Sequence, residues 1–155
     1  MEGCGAKGAR NMKTLIVYDS KYGNTAELAD EMLLALGSEA KACDCEQLEL
    51  GMLEGVELLI IGCPTQKWTA SPPARDAAFV IGESVSPSHL KVATFDTGFV
   101  GPFAGSGAAK LADMMAEAGF EVVARPEHFR VEHLHGPLEE GETERAREWA
   151  LALAA

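Results

Sequence analysis

Three short stretches of this 155-residue chain gather residues able to hold a ligand with little formal charge. They are D-S-K-Y-G-N-T at 19–25, C-P-T-Q-K-W-T-A-S-P-P at 63–73 and D-T-G-F-V-G-P-F-A-G-S-G at 96–107. Each offers backbone N–H groups, hydroxyls or aromatic faces. The first lies between the apolar run T-L-I-V-Y (14–18) and the helical pattern A-E-L-A-D-E-M-L-L-A-L (26–36). A loop that runs straight into a helix presents unpaired N–H groups and the positive end of the helix dipole, which together attract an anion. Ser20 and Thr25 add hydroxyls, Gly23 removes a Cβ from the path of the backbone, and Asn24 or Thr25 can cap the helix. The same residues also suit a plain turn and cap with no ligand, and the loop alone leaves both readings open.

Other candidate chemistry is weaker. Cys4, Cys43, Cys45 and Cys63 contain no C-x-x-C pair, so neither a zinc site nor a disulfide framework is indicated. G-C-G-A-K-G at 3–8 fits a dinucleotide motif by letter but precedes the first strand instead of following one. G-S-G-A-A-K at 105–110 reads as a loop entering a helix. His128, His133 and His135 lie among carboxylates in P-E-H-F-R-V-E-H-L-H; a metal site is conceivable there, and a solvated edge segment is the ordinary reading. No metal ligand set and no catalytic triad or carboxylate pair is assigned.

The elements that must position the three stretches follow from patterning. Apolar runs at 14–18, 39–43, 56–62, 90–96 and 120–124 predict five strands; helical patterns at 25–36, 73–82, 106–118 and 141–154 lie between and after them, with a weaker one at 46–54. Alternating strands and helices imply a parallel sheet covered on both faces, and such a sheet binds ligands beyond the carboxyl ends of its strands. The three stretches follow the first, third and fourth strands, so they meet at that edge. In the last helix Ala146, Trp149, Ala150 and Leu153 share a face, which places Trp149 in the core. Residues 1–11 read as a flexible tail and 12–155 as one domain. With 24 acidic and 13 basic residues the formal charge is −11, which disfavours nucleic acid and anionic membrane and favours basic partners. No apolar run reaches membrane-spanning length and the N-terminus lacks a signal-peptide core, so a cytoplasmic location is expected.

S-K-Y-G-N-T at 20–25 resembles the phosphate loop of the flavodoxin family, T/S-x-T-G-x-T, with Ser20, Gly23 and Thr25 matching and Tyr22 departing from the usual second threonine. The five-fold β-α order, G-C-P-T at 62–65 and A-G-F-E-V-V at 118–123 extend the resemblance over residues 13–154. It implies a flavodoxin-like three-layer sandwich, a five-stranded parallel sheet in order 2-1-3-4-5 with helices on both faces. It implies FMN as cofactor, the phosphate at Ser20, Lys21, Tyr22, Gly23, Asn24 and Thr25. The isoalloxazine ring would lie between Pro64, Thr65, Gln66, Lys67, Trp68 and Thr69 on one side and Asp96, Thr97, Gly98, Phe99, Gly101 and Phe103 on the other. Trp68 sits where the family often stacks an aromatic on the ring, with Phe99 or Phe103 for the opposite face. Thr69 stands where many flavodoxins have a glycine that eases a peptide reorientation on reduction. The function implied is an electron carrier between basic-surfaced redox partner proteins, without a catalytic side chain. Two alternatives stand: an FMN-dependent reductase or oxidase of a quinone-like or protoporphyrinogen-type substrate, and a flavin-free interaction module of the same fold.

Overall fold

The computed structural model describes residues 11–66, 68–99 and 105–155. The expected tail up to residue 10, Cys4, the 3–8 motif, Lys67, Gly101 and Phe103 lie outside the described residues. The elements in chain order are β1 (Thr14–Tyr18), α1 (Asn24–Leu36), β2 (Ala40–Asp44), β3 (Leu58–Gln66), β4 (Thr69–Ala70), α2 (Pro72–Ser84), β5 (Lys91–Gly98), α3 (Gly107–Glu117), β6 (Glu121–Val122), β7 (Glu127–Arg130) and α4 (Glu142–Ala154). The weak helical pattern at 46–54 resolves into two single 3-10 turns, Cys45–Gln47 and Leu50–Leu53, which carry the chain from β2 to β3.

The parallel sheet runs β2-β1-β3-β5-β6, the expected flavodoxin-like 2-1-3-4-5 order, and has seven strands in all instead of five. The two additions have local causes. β4 is the return arm of a tight hairpin on the end of β3, pairing antiparallel with Thr65 and Gln66. The fifth strand position is split between β6 and β7, both parallel to β5, with residues 123–126 between them. Pro126 ends that gap, where a residue without an N–H cannot join the ladder.

Alternation along the strands divides the core in two. Leu15, Val17, Leu59, Ile61, Cys63 and Val92 pack with α2 and α3, whereas Ile16, Leu58, Ile60, Phe95 and Phe129 pack with α1 and α4. Both faces of β1 and β3 are therefore buried, which is why their sequences are continuously apolar. On the α1/α4 face Phe95, Phe129 and Trp149 meet edge to face, with centroids 5.9 to 6.0 Å apart. The Phe95 ring lies over Gly62, its neighbour across β3 and β5, where any Cβ would stand 2.1 Å from the ring. Helices α1 and α4 are tied by Arg147 to Glu31 at 2.5 Å. Asn11 joins the domain by donating its amide to the Leu36 carbonyl at 3.4 Å. Among the described residues no helix is long and apolar enough to cross a membrane.

Candidate functional site

β1 ends at Tyr18, and Asp19 donates its N–H to the Gly62 carbonyl at 3.0 Å, which fixes where the first loop leaves the sheet. Gly23 then turns the chain into α1 with φ 94°. A Cβ there would meet nothing within 4 Å, so the positive φ, not crowding, is what calls for glycine. The Ser20 hydroxyl accepts from the Ala26 N–H at 3.1 Å, taking one of the unpaired first-turn donors while keeping its own O–H to give away. Asn24 makes no cap; its amide packs against Gly136. Thr25 is buried and its hydroxyl lies 3.0 Å from that of Thr97 at the end of β5, joining the start of α1 to the neighbouring loop.

The facing wall is built from β3 and its turn into β4, backed by the start of α3. The hairpin places Gln66 opposite Thr69 and Thr65 opposite Ala70. Trp68 sits in the turn with φ 68° and is 67% exposed. Its backbone rests on Gly105, where a Cβ would stand 2.4 Å from the Trp68 Cα, and the Gly107 N–H donates to the Thr65 hydroxyl at 2.9 Å. Ser106 caps α3 by accepting from the Ala109 N–H at 3.0 Å and donates to the Asp96 carboxylate at 2.8 Å.

Between these walls lies a cavity of about 480 Å³, within the range of ligand pockets. The first loop contributes Lys21, Tyr22, Asn24 and Thr25; β3 and its turn contribute Pro64, Thr65, Gln66 and Trp68; the end of β5 contributes Thr97, Gly98 and Phe99. Four expected contacts are not among the lining residues: Ser20 and Gly23 shape the start of α1, Thr69 lies in β4, and Asp96 is fully buried.

The fourth wall was not visible in the sequence. Val131 and Leu134 line the cavity from a turn after β7, closed by the Val131–Leu138 bridge and by Glu132 N–H to the Pro137 carbonyl at 2.8 Å. His135, in that turn, stacks on Tyr22 with centroids 4.0 Å apart, so the stretch read as a solvated edge leans on the first loop. The signal was the turn residues Gly136 and Pro137, but nothing local says which loop the turn meets.

The electrostatics separate inert from responsive groups. Burial pushes Cys63 up to about 12 and raises Cys43 and Cys45 as well, so these thiols are held protonated and unreactive. His128 lies opposite Asp96 in the sheet and its Nδ1 contacts the Asp96 carboxylate, which raises the imidazole above its ordinary value against the effect of burial. Among the described residues no group of three or more His, Cys, Asp or Glu is placed to hold a metal ion.

A planar ring with a phosphate tail fits this arrangement: first-turn N–H groups at one end, two exposed aromatics, Trp68 and Phe99, at the other. No protein-family model matches the sequence, and a search of the curated proteins finds no match. Solved structures do match in fold. Flavodoxin 2 from Bacillus cereus aligns with TM-score 0.76 at 24% identity, over 90% of this chain and 96% of that one. Fusobacterium nucleatum flavodoxin bound to flavin mononucleotide aligns with TM-score 0.69 at 21% identity, over 92% and 97%. Rubredoxin oxygen:oxidoreductase from Desulfovibrio gigas aligns with TM-score 0.73 at 19% identity, over 92% of this chain but 35% of that larger one. The fold is flavodoxin-like.

Proposed function

We propose that this flavodoxin-like chain binds FMN and carries electrons between redox partner proteins. The observation that carries the reading is the cavity at the carboxyl edge of the sheet, with the start of α1 at one end and the exposed Trp68 and Phe99 at the other. In this reading the first-turn N–H groups of Asn24 and Thr25, together with Lys21, hold the phosphate, while Ser20 shapes the helix start behind them. Trp68 and Phe99 take the ring faces, and Pro64, Thr65, Gln66, Thr97 and Gly98 line the space between. Lys67, Gly101 and Phe103 belong to the same two loops by sequence. When bound, the flavin supplies the capacity to accept and release electrons; the chain's part is to bind it, orient it and set the surrounding field. A formal charge of −11 suits docking to basic surfaces and disfavours further negative charge on the cofactor.

The visible spectrum of purified protein, before and after incubation with FMN, tests the reading. Flavin bands that stay with the protein through gel filtration support it. Protein that never retains flavin leaves an interaction module of this fold. Steady NAD(P)H oxidation with a quinone and no added reductase replaces the carrier with an FMN-dependent reductase.

A further inference from the structure

Asp96 is fully buried at the end of β5, and its carboxylate is shared three ways. Oδ2 accepts from the Ser106 hydroxyl at 2.8 Å and from the Ala108 N–H at 2.9 Å, while Oδ1 meets Nδ1 of His128. Because Ser106 also caps α3, this one carboxylate fixes the start of that helix. The start of α3 in turn braces the hairpin at one strand and at its turn, through Gly107 to Thr65 and through Gly105 against the Trp68 backbone. The other side of His128 is less well served. Its Nε2 is buried and has no hydrogen-bond partner among the described residues. The ring's Cε1 lies 3.6 Å from where a Gly98 Cβ would be, directly behind a residue that lines the cavity.

We propose that Asp96 and His128 are positioning residues for the ring half of the cavity, and that flavin binding there is linked to one proton on His128. The inference rests on the FMN reading above. The imidazolium holds the carboxylate that holds Ser106, Ala108 and, through them, Thr65 and Trp68. Loss of the proton leaves a buried carboxylate facing a neutral ring, and the brace slackens.

Among the described residues the charges acting on the imidazole are few. The hydrogen bond from Asp96 raises His128 above 6.5, burial opposes it, the Gly98 carbonyl favours the charged form without forming a hydrogen bond to Nε2, and Arg130, two residues along β7, disfavours it. From α4, Arg145 reaches the His128 carbonyl at 2.5 Å and is itself paired with Glu142 and Glu127. Residues 100–104, V-G-P-F-A, carry no ionisable side chain. A raised pKa means that the pair's hold is complete below about 6.5 and is lost as pH rises through the raised value. By reciprocity, a ligand that needs the braced arrangement must tighten the proton on His128.

The test is FMN titration of the full chain from about pH 6 to 9, a span chosen around histidine titration, for wild type, His128→Gln and a His133→Gln control. The readout is the ratio of wild-type to variant Kd, in which the phosphate's own second ionisation near 6 cancels. The wild-type to His128→Gln ratio should climb with pH, by at most about tenfold per unit for a single proton, while the His133→Gln ratio stays flat. Independently of any variant's folding, saturating FMN should move the NMR titration of the His128 ring to higher pH. A flat His128→Gln ratio, or a His128 titration that FMN leaves in place, overturns the linkage while FMN binding itself survives. Absence of FMN binding at every pH overturns the flavin reading and the linkage with it.

Discussion

The two ends of the cavity are held by different kinds of contact. The end at the start of α1, where the proposed reading puts the phosphate, is held by separate contacts: Ser20 to Ala26 and Gly23 to Glu27 nearby in sequence, and Asp19 to Gly62, Tyr22 to His135, Asn24 to Gly136 and Thr25 to Thr97 across the fold. The ring end is a chain of dependent contacts between distant segments, His128 to Asp96, Asp96 to Ser106 and Ala108, Gly107 to Thr65, Gly105 to Trp68. Separate supports tolerate a single loss because each contact stands alone. A chain of braces does not, because each link sets the position of the next.

Two glycine substitutions expose the contrast most sharply. Gly105→Ala puts a Cβ 2.4 Å from the Trp68 Cα and 2.5 Å from its carbonyl oxygen at φ 70°, so both contact and backbone strain are incurred against main chain that cannot rotate away. A loss of about 3 kcal/mol is expected, the sum of overpacking and left-handed strain. Gly23→Ala at φ 94° meets open space and should lose only about 1 kcal/mol, from strain alone. Urea unfolding of the two variants measures both. Equal losses would mean that the ends are held alike.

The ring end reaches further, into α4. Glu142 accepts from the Arg130 N–H at 2.7 Å and from Arg145 at 2.8 and 2.9 Å, and Arg145 grips β7 at the His128 carbonyl. Glu142→Gln should lose about 2 kcal/mol at neutral pH, as expected for charged hydrogen bonds in a part-buried site. The Arg145 hydrogen bond lowers the Glu142 pKa below 4.5, so its contribution is present above that value and lost as pH falls through the lowered one. Unfolding free energies of wild type and variant should therefore converge in acid. A gap that persists at about pH 2, well under the ordinary glutamate value, would assign the loss to packing instead.

The same division explains what the sequence could tell. The helix-entering loop at 19–25, the strand runs and the α3 start at G-S-G are written in short-range patterns, and the structure has a loop, strands and a helix start at those places. The split fifth strand was missed because E-H-F-R holds a single apolar residue, Phe129, and so reads as edge; only β5 alongside it makes β7 a strand. Asp96 was singled out as a ligand contact by its loop, whereas its buried carboxylate is occupied by residues 10 to 32 positions away. Nothing local in H-L-H-G-P marks it as a cavity wall.

At the start of α1, Thr25→Ala removes the hydroxyl pair with Thr97 and, in the proposed reading, a hydroxyl beside the phosphate. About 1 kcal/mol of FMN affinity should go, roughly fivefold in Kd, while riboflavin, which has no phosphate, should bind wild type and variant alike. Isothermal titration with both ligands separates the roles. An equal loss for both would make Thr25 a support of the shared walls and blur the distinction between the ends.

The smallest effect is expected at Thr69. The family resemblance places a glycine-dependent peptide reorientation there, which would make Thr69→Gly a strong modifier of the cofactor's potential. The structure puts the left-handed backbone one residue earlier, on Trp68 at φ 68°, while Thr69 is an extended residue of β4 paired with Gln66. A β-branched residue favours that extended arm, so glycine at 69 gains no access to a conformation the turn needs and weakens the hairpin by about 0.5 kcal/mol. Strain relief belongs instead to position 68, where it is inseparable from loss of the indole. Reductive titration of FMN-loaded Thr69→Gly should leave the midpoint potentials within about 20 mV of wild type, the equivalent of that 0.5 kcal/mol for one electron. A shift of about 60 mV, tenfold in the one-electron equilibrium, would return the switching peptide to residue 69 and make the ring end adjustable from within its own hairpin, not only through the braces behind it.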